Sequence, residues 1–425
     1  MPEPRGPAMP DDIDRELQRS QPDYVVYVPT GDHDTGNEHF LVRGAPDGAL
    51  MAVWTQSSYE GAGDHRIMFA RSGDDGRTWS EPTRIFGPAG PDDQHLMSSW
   101  GFPITSASGR IYVIWNQYQG IDDVVHQHTG TMDCCYSDDL GATWSQPQTV
   151  PMPRSAYDHP DPTVPSNWIV WQLPIRDLQG RWFTGFSRWV SKAVRTEPHN
   201  SSWTSMETVV QFMRFLNVDD DPEPRDLEVA YSPDDEALRV PHYDNPPLSV
   251  AQEPSLVRLP DDRLFCTMRT MSGYIWYSMS GDDGESWCSP RPLLRRDYGP
   301  PIEEPLCCCP IYRLADGRYV LLHHNNDGHF EGCAREETGK NRRPAFIALG
   351  EFRPDAEQPI WFSDSKQLMD NQGVGIGPLS RIDIGVYPSF TTRGGQNVLW
   401  HPDRKFFLVG KRITDEFLAD LHVPE

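Results

Sequence analysis

No stretch of the chain approaches the roughly 20 consecutive apolar residues of a membrane-spanning helix, so no helical anchor is expected. Positive charge is in short supply: 38 Lys and Arg stand against 62 Asp and Glu, a formal net charge of −24. That balance repels nucleic acid and anionic membrane surfaces, and neither is expected as a partner. Cysteine is scarce and poorly placed for bridging. There are eight in 425 residues, and five fall in the adjacent runs Cys134-Cys135 and Cys307-Cys308-Cys309. Reduced, buried thiols follow. The opening residues, MPEPRGPAMPDDIDRELQRSQPDY, lack the apolar centre of a secretion signal, which predicts a cytoplasmic protein.

What is plentiful is turn-forming residues and tryptophan: 34 Gly, 40 Pro and 14 Trp, between short apolar runs. That composition favours many short strands. Three segments repeat the pattern Ser-x-Asp-x-Gly-x-Thr/Ser-Trp: Ser72 to Trp79, Ser137 to Trp144 and Ser280 to Trp287. Each follows a strand-like run and reads as a hairpin turn. Its aspartate accepts backbone N–H bonds, and its tryptophan packs beneath. A second turn recurs between apolar runs at Asp47-Gly48, Ser108-Gly109, Gln179-Gly180, Asp261-Asp262, Asp316-Gly317 and Gly394-Gly395. Six hairpins predict six blades, an all-β propeller over residues 23–415, with tails at 1–22 and 416–425. Tyr24 to Val28 is the strand available to close the ring.

In a four-stranded blade the two outward turns share one face, so residues one strand length from a turn lie on the opposite face, near the axis. This rule nominates Glu38, His39 and Gln56 in blade 1, and Trp100, Asn116 and Tyr118 in blade 2. In blade 4 it nominates Glu253 and Arg269, and in blade 6 Tyr387. In blade 5 it nominates Cys307 to Cys309 and His323 to Asn326, with Arg342 and Arg343 opening the next strand. These positions are polar for strand ends that converge. Glu253, buried there, must meet an arginine or a phenol.

At these residues the chain resembles the sialidase (neuraminidase) family of six-bladed, Asp-box propellers, as a divergent member, from about Asn37 to Arg412. The matching stretches are Glu253 to Val257 with Leu264 to Arg269, His323 to Asn326 with Asn341 to Pro344, and Tyr387-Pro388-Ser389. The resemblance implies an exo-glycosidase in which Tyr387 is the nucleophile and Glu253 its base. A phenol is a weak nucleophile near neutrality, so an adjacent carboxylate is needed; a neutral nucleophile also avoids repulsion from a substrate carboxylate. Arg269 and one of Arg342 or Arg343 would grip that carboxylate. Asp64 falls where the family keeps its acid/base, with Glu60 as rival; His324, Asn326, Gln56 and Tyr118 would line the sugar. The family opens its first blade with Arg-Ile-Pro, and here the stretch reads Glu38-His39-Phe40. That change weakens or reverses carboxylate binding. Weak hydrolysis of α-sialosides is therefore expected, with activity on another sugar acid or a neutral deoxy-sugar.

Asp32-His33-Asp34, Glu38-His39, His126-x-His128 and His323-His324 offer general bases, but no spacing matches a strong metal signature. Neither metal nor cofactor is expected. Histidine chemistry would indicate a polysaccharide lyase or a His-dependent glycosidase, and a glycan-binding propeller without catalysis is the reading from another class. The third-blade region Lys192 to Asn245 has few hairpin signals and reads as a lid, a subunit contact or an insertion.

Overall fold

All six turns read from the sequence carry a residue in the left-handed region between two strands: Gly48 (φ 87°), Gly109 (100°), Gly180 (82°), Asp262 (67°), Gly317 (91°) and Gly394 (55°). In the computed structural model, which describes residues 9–90, 93–198, 200 and 202–425, these hairpins begin six antiparallel sheets arranged as a β-propeller. Blade 1 is Gly36–Gly44, Leu50–Ser57, Arg66–Ser72 and Thr83–Phe86; blade 2 is Ser98–Thr105, Ile111–Gln117, Thr131–Ser137 and Gln148–Val150. In blade 3 the innermost strand is broken into Trp168–Ile169 and Ile175–Arg176, both paired with Trp182–Trp189; Thr208–Phe215 and Val229–Tyr231 complete it. The last two lie in the region read as lid, contact or insertion, so much of that region is ordinary blade.

Blade 4 is Ala251–Arg258, Leu264–Thr270, Trp276–Ser280 and Arg291–Pro292; blade 5 runs Ile311–Arg313, Tyr319–His323 and Ala345–Phe352, with Ile360–Phe362 and Lys366–Met369 both on the last. Blade 6 is Ser389–Arg393, Gln396–Asp403 and Phe407–Ile413, and its outermost strand is Tyr24–Tyr27 from the far end of the chain.

Neighbouring blades are tied at the axis by one recurrent bond, in which an inner-strand N–H donates to a group of the preceding blade. Trp100 N donates to Thr55 Oγ1, Glu253 N to Ser187 Oγ, Ile311 N to Ser255 Oγ, Tyr387 N to Cys308 Sγ and Val42 N to Ser389 Oγ. Each satisfies a buried backbone donor that has no strand beyond it.

The three Asp-boxes share one geometry. In the first, Asp74 accepts from Thr78 N (2.9 Å) and Thr78 Oγ1 (2.7 Å), while Gly76 N donates to Ser72 Oγ (2.8 Å). Their tryptophans reach back to the preceding blade: Trp79 to Trp400, Trp144 to Phe69 and Trp287 to Phe212, at 5.6, 5.2 and 4.1 Å between ring centroids. The box glycine is required twice over. Gly76 has φ 88°, and a Cβ there would lie 2.3 Å from Trp400. Arg71 links Asp47 of the first turn to Leu140 O of the second box, so turns and boxes lie on one face.

Segments expected as tails pack onto the ring, although residues 1–8 of the first lie outside the described residues. Ile13–Gln18 is a helix whose Leu17 packs on Phe406 and Phe407, and whose Glu16 pairs with buried Arg404 at 3.1 Å. Leu418 and Leu421 join the core of blades 5 and 6. Among the described residues, no helix is long and apolar enough to cross a membrane.

Candidate active site

Four non-glycine residues at the inner ends of the blades adopt left-handed backbone: His39 (φ 57°), Trp100 (61°), Glu253 (49°) and Tyr387 (48°). The first three sit in register shifts of the inner strand, between Glu38 and Leu41, Ser99 and Phe102, and Gln252 and Ser255. Tyr387 stands two residues before its strand. A bulge breaks the in-out alternation and re-aims a side chain, at the cost of a conformation non-glycine residues avoid. Here it turns the first three toward the axis, and the left-handed backbone of Tyr387 before blade 6 brings its ring to meet them.

Tyr387 Oη donates to Glu253 Oε1 at 2.9 Å, and Arg269 Nη1 donates to both, at 2.5 Å to the carboxylate and 3.1 Å to the phenol oxygen. The group is almost covered, with Tyr387 4% and Glu253 1% exposed. Burial, reinforced by the Glu253 carboxylate, pushes the phenol well above its ordinary range; Arg269 and Arg342 oppose the shift. The phenol is therefore neutral, and its proton already points at a base.

A third cation meets this group. Lys405 Nζ lies 4.8 Å from the centre of the Tyr387 ring, bonds Glu60 Oε1 at 2.6 Å and pairs with Glu38 Oε2 at 3.4 Å. Burial pulls its ammonium down to about 8. Arg381 takes the other oxygen of Glu60, and Arg342 donates to Leu306 O and to Asp383 Oδ1. A recess of about 20 Å³ between Tyr59, Glu60, Arg381 and Lys405 opens beside this network. A larger cavity, about 460 Å³, lies between the outer parts of blades 3 and 4, lined by Phe212, Trp276 and Trp287, remote from the axial groups.

Aromatic rings wall the axis. Trp100 stands 5.5 Å from Tyr387 and 5.3 Å from His39, Trp171 stands 6.3 Å from Tyr387, and His128 stacks on Trp189 at 3.9 Å. Trp203, 38% exposed, covers the Arg269 guanidinium at 5.3 Å. Burial drives His39 to about 3 and His128 well below its ordinary value, so both imidazoles are neutral.

Beneath the site, His324 Nδ1 meets Glu304 Oε1 at 2.9 Å, its backbone N–H donates to Glu304 Oε2 at 2.6 Å, and Nε2 meets Ile384 O at 2.9 Å. Both ring nitrogens face acceptors, which holds the ring as imidazolium and clamps the segment leading to Tyr387. Cys307 Sγ, with Glu304 and His324, completes the one trio of metal-ligand type found among the described residues, its donor atoms within 4.8 Å of one another.

The other expected site residues are dispersed. Arg343 turns away to Asp370 and Glu331, so Arg342 is the arginine that reaches the group. Gln56 holds Asn37 and Arg66; Asn326 braces its own loop through His324 O and Asn341 O; Asn116 holds His128 O and Trp168 O. Tyr118 lies at the rim against His126. Asp64 accepts from Ser58 N and Oγ and makes no hydrogen bond with Tyr387, Glu253 or Arg269. Counting strand lengths from the outer turns misses Lys405 and Trp203. Lys405 lies in the polar turn between the second and third strands of blade 6, on the pocket face, a class of turn that such counting does not use.

Six blades with Asp-box turns, closed around a polar axis, define a propeller of the sialidase fold. The chain belongs to the BNR repeat-like domain family, whose profile matches residues 48–374. No curated protein matches it in sequence. Among solved structures it is similar to a protein of unknown function from Dyadobacter fermentans DSM 18053 (12% identity, TM-score 0.58, covering 92% of this chain and 96% of that one). It is also similar to the NanB sialidase from Streptococcus pneumoniae (12%, 0.57, 94% and 71%) and to the intramolecular trans-sialidase from Ruminococcus gnavus (15%, 0.58, 92% and 98%). At such identities the likeness establishes the fold.

Proposed function

We propose that the protein is a sialidase-like exo-glycoside hydrolase that releases a terminal sugar, with Tyr387 as nucleophile and Glu253 as its base. The observation that carries this reading is the Tyr387 hydroxyl donating to Glu253 while Arg269 donates to both oxygens. A binding module has no use for a phenol poised on a carboxylate. In the proposed reaction the Tyr387 oxygen bonds to the anomeric carbon and its proton passes to Glu253. The glycosidic C–O bond breaks, and the leaving oxygen takes a proton from an acid. Water then attacks the anomeric carbon and gives its proton to the conjugate base of that acid. The tyrosyl–carbon bond breaks, and the phenolate recovers its proton from Glu253.

The acid comes from the loop carrying Glu60 and Asp64. Glu60 is committed to Lys405 and Arg381, whereas Asp64 is held by the neutral Ser58, so Asp64 takes the role. Trp203, exposed above the Arg269 guanidinium, suits the apolar face of a sugar ring.

Sugar release from a broad panel of aryl and natural glycosides tests the reading. Release by the wild type that is lost in Tyr387→Phe supports it. An unsaturated uronate absorbing near 235 nm would instead identify a lyase, since only elimination makes it (about that wavelength). Binding without turnover on every member would leave a glycan-binding propeller.

A further inference from the structure

The charges at the axis are already matched. Arg269 is bound to Glu253, Arg342 to Asp383, and Lys405 lies between Glu38 and Glu60. What lacks a partner is different in kind. Glu253 Oε2 and Glu38 Oε1, both buried, accept no hydrogen bond, and Trp100 Nε1, Arg269 Nε and both ring nitrogens of His39 make none. A neutral imidazole offers one N–H and one lone pair. The unmet groups are therefore two carboxylate oxygens and an imidazole nitrogen seeking donors, beside an indole, a guanidinium and an imidazole N–H seeking acceptors.

A hydroxyl group is donor and acceptor at once and answers both kinds. A carboxylate is acceptor only, and at this axis it would face Glu38 and Glu253, where Arg269 is already paired with Glu253, Arg342 with Asp383 and Lys405 with Glu38 and Glu60. We infer that the site takes a neutral, hydroxyl-rich sugar and excludes sugar acids. Glu38, fixed by Lys405, is the residue that sets this choice. The inference rests on the reading above in taking the axis as the sugar site. A tyrosine nucleophile is consistent with it, because a phenol brings no further charge to a place where two carboxylates already stand.

The test is saturation-transfer NMR and thermal shift on the binding-competent Tyr387→Phe variant. The probes are L-fucose, L-rhamnose, D-galactose and N-acetyl-D-glucosamine, against N-acetylneuraminic acid and D-glucuronic acid, with D-glucosamine as the cationic arm. A neutral sugar is expected to bind about tenfold or more tighter than either acid. Adding Glu38→Gln should narrow that gap while far-UV dichroism stays native; Lys405→Met, which frees the Glu38 charge, should widen it. A sugar acid or glucosamine binding as tightly as the best neutral sugar, or no probe binding at all, overturns the inference. Failure of the hydrolase reading looks different: neutral sugars bind, but no glycoside is cleaved.

Discussion

Tyr387 and Glu253 share a 2.9 Å hydrogen bond across 134 residues of sequence, from blades 6 and 4. Both reach it from left-handed backbone, so the contact depends on two strained residues as much as on two side chains. Tyr387→Phe removes one oxygen and keeps the ring. On any glycoside the protein cleaves, kcat should fall by about 10³ or more with little change in unfolding temperature. Glu253→Gln should cost nearly as much, and the double variant little further, because the two act as a unit. A Tyr387→Phe enzyme with near wild-type kcat would remove the phenol from the chemistry.

Acid should unfold the protein early. Burial holds His39 and His323 at about 3, and His65 and His401 at about 4, against an ordinary 6.5. These are lowered values, so their contribution is present above pH 6.5 and lost as pH falls toward 4. Each depressed histidine costs about 1.4 kcal/mol per pH unit across that window, as the unfolded chain takes up protons the folded one refuses. Urea midpoints should drop steeply from pH 6.5 to 4.5, and His401→Gln should shallow the slope by one proton. A flat profile over that range would contradict the assignment.

The Asp-box glycine can be weighed against an ordinary turn glycine. At Gly48 (φ 87°) an added Cβ would have nothing within 4 Å, whereas at Gly76 (φ 88°) it would meet Trp400 at 2.3 Å. Gly48→Ala carries the left-handed penalty alone, about 1–2 kcal/mol. Gly76→Ala carries that plus displacement of the Trp79–Trp400 contact between blades, and should destabilise by about 3 kcal/mol or more. Equal losses in chemical denaturation would show that the box does not lock neighbouring blades.

Glu304→Gln tests the clamp below Tyr387. It leaves the His324 ring between a neutral amide and Ile384 O, breaking a buried pair, and should cost about 3–5 kcal/mol of stability. In the fraction that stays folded, kcat should fall while KM changes little, since the buried ring steadies the segment before the nucleophile. A KM effect alone would place His324 among the ligand contacts.

The blades were legible because their signals are local. Every Asp/Gly turn places a left-handed residue between two strands, and every Asp-box closes on itself within eight residues. Counting one strand length from a turn then found Glu253, Arg269 and Tyr387. Arg342 and Arg343 were inseparable, since adjacent residues in extended chain face opposite ways and only ring closure decides which way is in. Lys405 stayed hidden for a related reason. Its importance comes from Glu38 and Glu60, more than 340 residues away, and no local pattern encodes that meeting. Asp64 follows from its loop, and its Ser58 partner from the way that loop folds.

The strand Tyr24–Tyr27 pairs with Phe407–Ile413, so the whole propeller lies between two strands that must meet to close it. The helix that precedes it braces Arg404, the neighbour of Lys405. Until those two strands pair, the chain carries an unsatisfied sheet edge and an incomplete mouth. In this protein, closing the ring and steadying Lys405 beside Tyr387 are one structural event.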